Sequence, residues 1–257
     1  MDYTQAVVLA AVQGVTEWLP ISSSGHLAVL QHLMGVDVPV AFDVMLHLGT
    51  LLAVILFMRA DLASMVGSIY REGVLGRGGR LVLYIFLATL PAGAAGLAFK
   101  HQFESFFSNM GVVAAGFFLT GAVILMSQIK RRPTALDFKS AFTVGLAQAV
   151  SIVPGVSRSG STIVAGMMLG LGREEAARFS FLISIPVILG AALVDAEDII
   201  LSDIELGVVV VAVSVSFSVG YLSLKLLWHT LSRGRLYFFS YYCFTAAFAV
   251  FVYQLLG

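Results

Sequence analysis

The sequence contains Pro20-Ile21-Ser22-Ser23-Ser24-Gly25-His26 in the middle of one apolar stretch and Pro154-Gly155-Val156-Ser157-Arg158-Ser159-Gly160-Ser161-Thr162 in the middle of another. Polar residues at membrane depth usually mark a functional site. The offset is about 135 residues, roughly half the chain, as in folds built from internal repeats. The pattern therefore predicts two diverged copies of one unit. The aligned pairs are Gln13 with Gln148, Ser22 with Ser157, Ser24 with Ser159 and Gly25 with Gly160.

The composition indicates a polytopic membrane protein. Of the 257 residues, 59% are hydrophobic and 12% are charged, and the mean hydropathy is +0.95. Ordinary soluble domains carry about twice that share of charged residues. Six apolar runs are long enough to cross about 30 Å of hydrocarbon as helices. They lie near 41–58, 81–99, 110–128, 176–194, 206–228 and 237–255.

Two further apolar regions, 4–34 and 138–171, are interrupted by the serine and glycine segments. Non-helical backbone at membrane depth survives only where protein or a wet cavity supplies hydrogen-bond partners, so we expect re-entrant helical hairpins. The predicted fold is an all-α polytopic membrane protein with six transmembrane helices, two re-entrant hairpins and one membrane domain over 1–257. Its repeats span about 1–128 and about 129–257.

The distribution of basic residues predicts the orientation, although the formal net charge is zero. By the positive-inside rule, three basic loops face the cytoplasm. Both termini then face outward, the first hairpin enters from outside and the second from the cytoplasm, and the repeats are inverted with their breaks near the midplane. The basic residues are Arg59, Arg71, Arg77 and Arg80; Lys130, Arg131, Arg132 and Lys139; and Arg233 and Arg235. The opposite loops carry Lys100 and Glu104, and Asp195, Glu197, Asp198, Asp203 and Glu205.

Gln13 and Glu17 are four residues apart before the Pro20 break, so they share one helix face. Their oxygen atoms suit a hard cation such as Mg²⁺ or Ca²⁺, which commonly bridges substrate phosphates. We therefore predict Glu17 and Gln13 as metal ligands. The alternative is that Glu17 is an intramembrane acid paired with an arginine for burial.

After the break, Ser22, Ser23 and Ser24 stand where a new helix begins. One serine would cap the helix and the others would be free for a ligand, and the N–H groups of such a terminus bind anions. Ser23 and His26 share a face, as a hydroxyl nucleophile and its base require. The alternative is that the serines only cap and that His26 only bonds a carbonyl group.

The second segment adds Arg158, whose forked donors match phosphate oxygens. Two facing helix N-termini with one arginine predict an anion pocket suited to a diphosphate accompanied by a divalent ion. Asp43 and His47, one turn apart at the outer start of the first span, are predicted as an interfacial pair instead.

Two long motifs resemble the signatures of bacterial undecaprenyl-diphosphate phosphatases, the bacitracin-resistance family: Gln13-Gly-Val-Thr-Glu17-Trp-Leu-Pro20-Ile-Ser-Ser-Ser-Gly-His26 and Pro154-Gly-Val-Ser-Arg158-Ser-Gly-Ser-Thr162. The resemblance implies removal of the terminal phosphate of undecaprenyl diphosphate, which recycles the lipid carrier for peptidoglycan and other envelope polymers. It also implies a divalent cation, a bacterial plasma membrane and a site open to the outer side. The family motif begins with a Glu-x-x-x-Glu pair, and Gln13 stands at the first position here. Glu17 is thus the main carboxylate, and we expect activity to survive because an amide oxygen can still coordinate.

The expected site draws on both motifs. Attack by Ser23, phosphorylation of His26 and direct attack by water remain alternatives, and a carrier of a polyprenyl phosphate or a small anion is the competing function. The expected partners are the lipid substrate and the bilayer, no nucleic-acid motif is visible, and a homodimer is left open. The catalytic residues are Glu17, Ser23, His26 and Arg158; the substrate-binding residues are Ser22, Ser24, Gly25, Ser157, Ser159, Gly160, Ser161 and Thr162.

Overall fold

A computed structural model describes residues 2–36, 38, 40–195, 197 and 204–256. Throughout these ranges the regular elements are helices, and no strand occurs among them. Asp198 and Asp203, predicted in an outer acidic loop, lie outside the described residues. The helices are α1 Tyr3–Trp18, α2 Ser23–Met34, α3 Val40–Phe57, α4 Arg59–Glu72, α5 Arg77–Ala98, α6 Lys100–Phe107, α7 Met110–Leu125, α8 Phe138–Val150, α9 Arg158–Met168, α10 Arg173–Val194, α11 Leu206–Ser232 and α12 Phe238–Leu256.

The prediction of an all-α polytopic membrane protein is confirmed. Within the described ranges, α5, α7 with its 3₁₀ extension to Gln128, α10, α11 and α12 are each long and apolar enough to cross a membrane. A sixth span results if α3 and α4 are counted together, although the two helices meet at an angle of 66°. Each of the six predicted segments thus corresponds to a helix.

The segment after the first predicted span differs from the sequence-based expectation. Residues 59–72 were expected in a cytoplasmic loop, but they form α4, which buries none of its residues. Arg59 and Asp61 at its start and Arg71 and Glu72 at its end make it too polar to extend the α3 span. The chain therefore bends after Met58 while remaining helical.

Both interrupted apolar regions are broken into two helices at the serine and glycine segments. α1 ends before Pro20, which restricts Leu19 to an extended conformation, and α2 begins at Ser23. In the second region the chain leaves α8 at Val150 and resumes as α9 at Arg158, with Gly155 at a φ of +89°. The division into repeats of about 1–128 and 129–257 stays a prediction.

The first helices of the two interrupted regions, α1 and α8, begin with the same kind of cap, and each packs on a helix from the other half of the chain. Asp2 caps α1 and Asp137 caps α8, each in a reciprocal capping box. α1 packs on α11 of the second half, α8 packs on α5 of the first, and α7 packs against α12. The first helix of each hairpin is therefore supported by the opposite half of the chain.

The two breaks pack against each other through glycine. A Cβ at Gly25 would lie 2.9 Å from Gly155 Cα, and a Cβ at Gly155 would lie 2.3 Å from Val113 O. A Cβ at Gly160 would lie 3.2 Å from Pro20 Cβ. The close approach of the two hairpins therefore requires residues without side chains at this point.

Replacing Gly155 by alanine should destabilise the fold, because alanine is strained at this positive φ, at a cost of about 1–3 kcal/mol, and its Cβ would overlap Val113 O. We expect a lower thermal unfolding midpoint for Gly155→Ala in detergent. Gly67→Ala on α4, where an added Cβ meets nothing closer than 3.8 Å, is the control and should melt at or above the wild-type temperature. Equal midpoints for Gly155→Ala and the wild type would contradict the packing described here.

Candidate active site

A cavity of about 450 Å³ lies beside the meeting point of the two breaks. Its polar end is formed by Glu17, Arg158 and the serines that begin α2 and α9, together with His47 of α3. Small and apolar residues of α5 and α10 form its walls, among them Ala92, Gly93, Gly190 and Ala191. An added Cβ at Gly93 or Gly190 would meet no atom within 4 Å, so these glycines keep the cavity wide. The polar residues along it are Glu17, Ser22, Ser23, Ser24, His47, Thr89, Lys100, Gln148, Ser151, Ser157, Arg158 and Asp195.

The Glu17 carboxylate is the centre of the polar end. Its side chain is only 3% exposed, and it forms an ion pair with Arg158, which begins α9 in the other half of the chain. Ser23 Oγ donates a hydrogen bond to Glu17 Oε2 at 2.5 Å, and Gln13 Nε2 donates to the same oxygen at 3.0 Å. His47 Nε2 lies 3.4 Å from that oxygen. Four side chains from four helices thus surround one buried carboxylate.

Gln13 and Gln148 occupy corresponding positions and share an unusual feature. Each is buried, and each has an Oε1 atom without a hydrogen-bond partner. Gln13 Nε2 is used by Glu17, whereas Gln148 Nε2 donates to Ala88 O at 3.2 Å. Buried polar groups are nearly always paired, so these oxygens are places where a ligand group could bind.

The three serines at the start of α2 have different roles. Ser22 Oγ accepts from Gly25 N at 3.3 Å and thereby caps the helix, and it lies 3.2 Å from Ser24 Oγ. Ser22 has a φ of +69° and is the one non-glycine residue with positive φ in the described part of the chain. Ser23 is directed at Glu17, so capping and contact with the carboxylate fall to different serines.

The second segment, residues 157–162, forms hydrogen bonds with the first break and with α10. Ser157 caps α9 through Gly160 N at 3.1 Å, and Ser159 Oγ donates to Leu19 O of the first break at 3.2 Å. Thr162 Oγ1 donates to Arg158 O and lies 2.6 Å from Ser180 Oγ. Ser157 and Arg158 line the cavity, whereas Ser159, Gly160, Ser161 and Thr162 are buried and are not part of its lining.

The structure does not bring His26 to the cavity. His26 Nδ1 is 2.6 Å from Ser22 O and its Nε2 is 2.6 Å from Tyr242 Oη of α12. The ring stacks on Tyr242 and meets the edge of Phe117. Ser23 and His26 therefore share a helix, but their side chains engage different partners.

His47, by contrast, reaches the cavity. Its Nδ1 is bonded to Asp43 O at 2.7 Å, which leaves Nε2 pointing at Glu17. The Asp43 carboxylate accepts from Gln31 Nε2 instead, so the two side chains are not the interfacial pair that their spacing predicted. The sequence signal for His47 is a histidine two turns inside an apolar helix, and its role is ambiguous until the neighbouring helix is known.

The oxygen atoms of this site suit a cation that is also coordinated by a bound ligand, rather than one that is held entirely by protein side chains. No group of three or more His, Cys, Asp or Glu side chains that could hold a metal occurs among the described residues. Gln13 directs its Nε2 at Glu17 and is not part of the cavity lining, but its unpartnered Oε1 offers the oxygen chemistry that Mg²⁺ and Ca²⁺ prefer. A cation here would complete its coordination with ligand oxygens and water.

Comparisons with known proteins point to one family. Residues 6–249 match the family described as Bacitracin resistance protein BacA. The chain is 40% identical to the undecaprenyl-diphosphatase of Methanobrevibacter smithii, over 98% of each chain. It is 40% identical to that of Desulfosudis oleivorans, over 95% of this chain and 96% of the relative. It is 39% identical to the undecaprenyl-diphosphatase of Korarchaeum cryptofilum, over 97% of this chain and 98% of the relative.

Removing Arg158 should leave the buried Glu17 carboxylate without its opposite charge. The loss of one partner of a buried ion pair typically lowers the free energy of unfolding by about 3–5 kcal/mol. We expect Arg158→Met to lower the thermal unfolding midpoint clearly. The double variant Glu17→Gln/Arg158→Met should recover much of that loss, because it leaves no unpaired charge. Equal midpoints for the single and double variants would show that the ion pair does not stabilise the fold in the way that its burial implies.

Proposed function

The chain belongs to the bacitracin resistance protein BacA family, and on this premise we propose that it removes the terminal phosphate of undecaprenyl diphosphate, giving undecaprenyl phosphate and inorganic phosphate. The contact of Glu17 with both Ser23 and Arg158 at the wall of a cavity between apolar helices carries this proposal. We further propose that the activity recycles the lipid carrier of envelope polymers and confers bacitracin resistance. The full-length relatives named undecaprenyl-diphosphatase support the substrate.

Charge neutralisation is the first requirement of the site. Without a ligand, the Arg158 guanidinium pairs with Glu17. When the diphosphate enters, Arg158 would exchange part of this contact for phosphate oxygens, which it matches with parallel N–H donors. The free N–H groups that begin α2 and α9 add to the attraction, because helix N-termini bind anions. Preorganised donors of this kind supply much of the catalysis in phosphoryl transfer.

The hydrogen bond from Ser23 Oγ to Glu17 supports Ser23 as the nucleophile. We propose that Ser23 Oγ attacks the terminal phosphorus, that its proton passes to the Glu17 carboxylate to which it is already bonded, and that undecaprenyl phosphate leaves. Water would then hydrolyse the phosphoserine to release inorganic phosphate. The base role of His26 stays a prediction, as do phosphorylation of His26 and direct attack by water.

A divalent cation would be held by Gln13 Oε1 and Glu17 together with the phosphate oxygens. When bound, it supplies positive charge to the diphosphate. The protein contributes the orientation of these oxygens through α1, which is buried along this face. The apolar walls of α5 and α10 are suited to the first units of the prenyl chain.

We propose that the protein resides in a bacterial plasma membrane as two inverted repeats and that the cavity opens to the outer side. The basic loops support this orientation, since the positive-inside rule assigns them to the cytoplasm. Lys100 and Asp195 also line the cavity and form an ion pair at 2.7 Å, and they belong to segments that the same rule assigns to the outside.

Phosphate release from undecaprenyl diphosphate by the purified protein in detergent tests the function. We expect release after addition of Mg²⁺ or Ca²⁺ to chelator-treated protein, and a loss of about 10²-fold or more in Glu17→Ala, Ser23→Ala and Arg158→Ala. Gln13→Ala should raise the cation concentration required, whereas Gln148→Ala, which removes the corresponding buried amide, should not.

The control for these variants is Ser218→Ala, an exposed serine of α11 that bonds only Ser214 O in its own helix. It should retain wild-type release. Absence of release from folded wild-type protein would overturn the phosphatase and favour the carrier, which a liposome assay of polyprenyl phosphate movement would then examine. A carrier needs the anion pocket but no nucleophile, so Ser23→Ala would leave transport largely intact.

The orientation is tested by single cysteines in a Cys243→Ala background. A cysteine at Ser24, in the cavity, should react with a membrane-impermeant thiol reagent added to intact cells. A cysteine at Arg131, in an exposed loop assigned to the cytoplasm, should react only after permeabilisation. The reverse labelling pattern would invert the proposed topology.

A further inference from the structure

His26 is held at both ring nitrogens by groups outside the cavity. Ser22 O lies 2.6 Å from Nδ1, and Tyr242 Oη lies 2.6 Å from Nε2. A carbonyl oxygen can only accept, so Nδ1 carries the proton that is donated to Ser22 O. In the neutral ring Nε2 is then the acceptor, and Tyr242 donates its hydroxyl proton to it.

The carbonyl group that His26 holds belongs to a strained residue. Ser22 has φ +69° and ψ 100°, outside the regions that non-glycine residues ordinarily occupy. Such residues persist only where their surroundings fix them, and they cluster at functional sites. Besides His26 Nδ1, the His26 backbone N–H donates to Ser22 O at 3.3 Å. Both the ring and the backbone of His26 therefore fix this peptide.

The strained peptide leads directly into Ser23, whose hydroxyl is 2.5 Å from Glu17 Oε2. Any rotation of the Ser22–Ser23 peptide would move this hydroxyl away from the carboxylate. The direction of the Ser23 side chain thus depends on a turn that is held by His26.

The second repeat supplies an internal comparison. Ser157, which corresponds to Ser22, has an ordinary extended conformation with φ −74° and ψ 120°. The residue that corresponds to His26 by the same offset is Ser161, which has no ring to hold a carbonyl group. The strained turn and the histidine therefore occur together in one repeat and are both missing from the other.

We propose that His26 and Tyr242 form a positioning pair that locks the Ser22 turn and aims Ser23 at Glu17, and that His26 transfers no proton in the reaction. Tyr242 lies on α12, 216 residues from His26, and belongs to neither sequence motif. This inference rests on the proposed phosphatase function, in which Ser23 is the nucleophile.

Substitutions at His26 separate positioning from proton transfer. The amide nitrogen of asparagine can take the place of Nδ1 and donate to Ser22 O, whereas the amide of glutamine reaches the place of Nε2 and leaves that carbonyl group unpaired. We expect kcat to fall about 10²-fold in His26→Ala and His26→Gln, as for a misplaced reacting group. His26→Asn should recover most of the activity, and KM should change little because His26 does not line the cavity.

The pH profile provides the second readout. If His26 only positions Ser23, the profile of His26→Asn should keep the shape of the wild-type profile. If His26 is the base, His26→Asn should be as inactive as His26→Ala and should lose the corresponding limb of the profile, and the proposal is then overturned. Tyr242→Phe should lower kcat, while Tyr241→Phe, at the adjacent exposed position of the same helix, should leave it unchanged.

A measurement without substrate keeps this inference separate from the proposed function. The protein has five histidines, so the ¹⁵N signals of His26 in labelled protein can be assigned by their loss in His26→Asn. We expect the neutral tautomer protonated at Nδ1, with an Nε2 signal that shifts in Tyr242→Phe. An Nε2-protonated tautomer, or no response to Tyr242→Phe, would overturn the pair even if the phosphatase assay succeeds. If the phosphate-release assay fails while the ¹⁵N signals show the Nδ1-protonated ring and its response to Tyr242→Phe, the proposed function is overturned but the contact between His26 and Tyr242 is not.

Discussion

A single buried carboxylate determines how the two halves of this protein meet. An unpaired charge at membrane depth costs several kcal/mol or neutralises by protonation, so Glu17 requires partners. Arg158, 141 residues later in the chain, provides the opposite charge, and Ser23 and Gln13 provide hydrogen bonds. Because these partners belong to α1, α2 and α9, the two hairpins have to touch at their breaks.

The close contact follows from the residue types at the breaks. Gly25 and Gly155 allow the backbones to approach within van der Waals distance, and Ser159 uses its hydroxyl to satisfy Leu19 O in the opposite break. Backbone groups that leave the helical pattern are thus paired inside the protein, which is the condition for irregular backbone at this depth. The same packing brings Glu17, Arg158 and the serines of both breaks together in the lining of the cavity, beside apolar residues of α5 and α10.

The sequence is informative where the relevant neighbours are close in the chain. The spacing of Gln13 and Glu17 predicts a shared face, and their side chains are in fact bonded; the caps at Ser22 and Ser157 follow in the same way from local pattern. Spacing along the chain does not predict the partner of a side chain when that partner lies on a distant helix. Ser23 and His26 share a helix face, yet the orientation of α2 against α12 sends the ring to Tyr242. His47 is the opposite case, because only the packing of α3 on α1 and α11 turns its Nε2 toward Glu17.

The two serine segments share a sequence pattern but differ in the charge that they carry. Two segments that both carried a carboxylate would bring like charges together in a buried site, where their repulsion is strong. With Glu17 in the first half of the chain and Arg158 in the second, the two charges pair with each other; under the proposed function, the guanidinium would turn to the phosphate oxygens when the substrate enters. The strained Ser22 turn also lies in the half of the chain that carries the carboxylate. Under the proposed function, the first half of the chain would supply the groups that react and the second half the charge that receives the ligand.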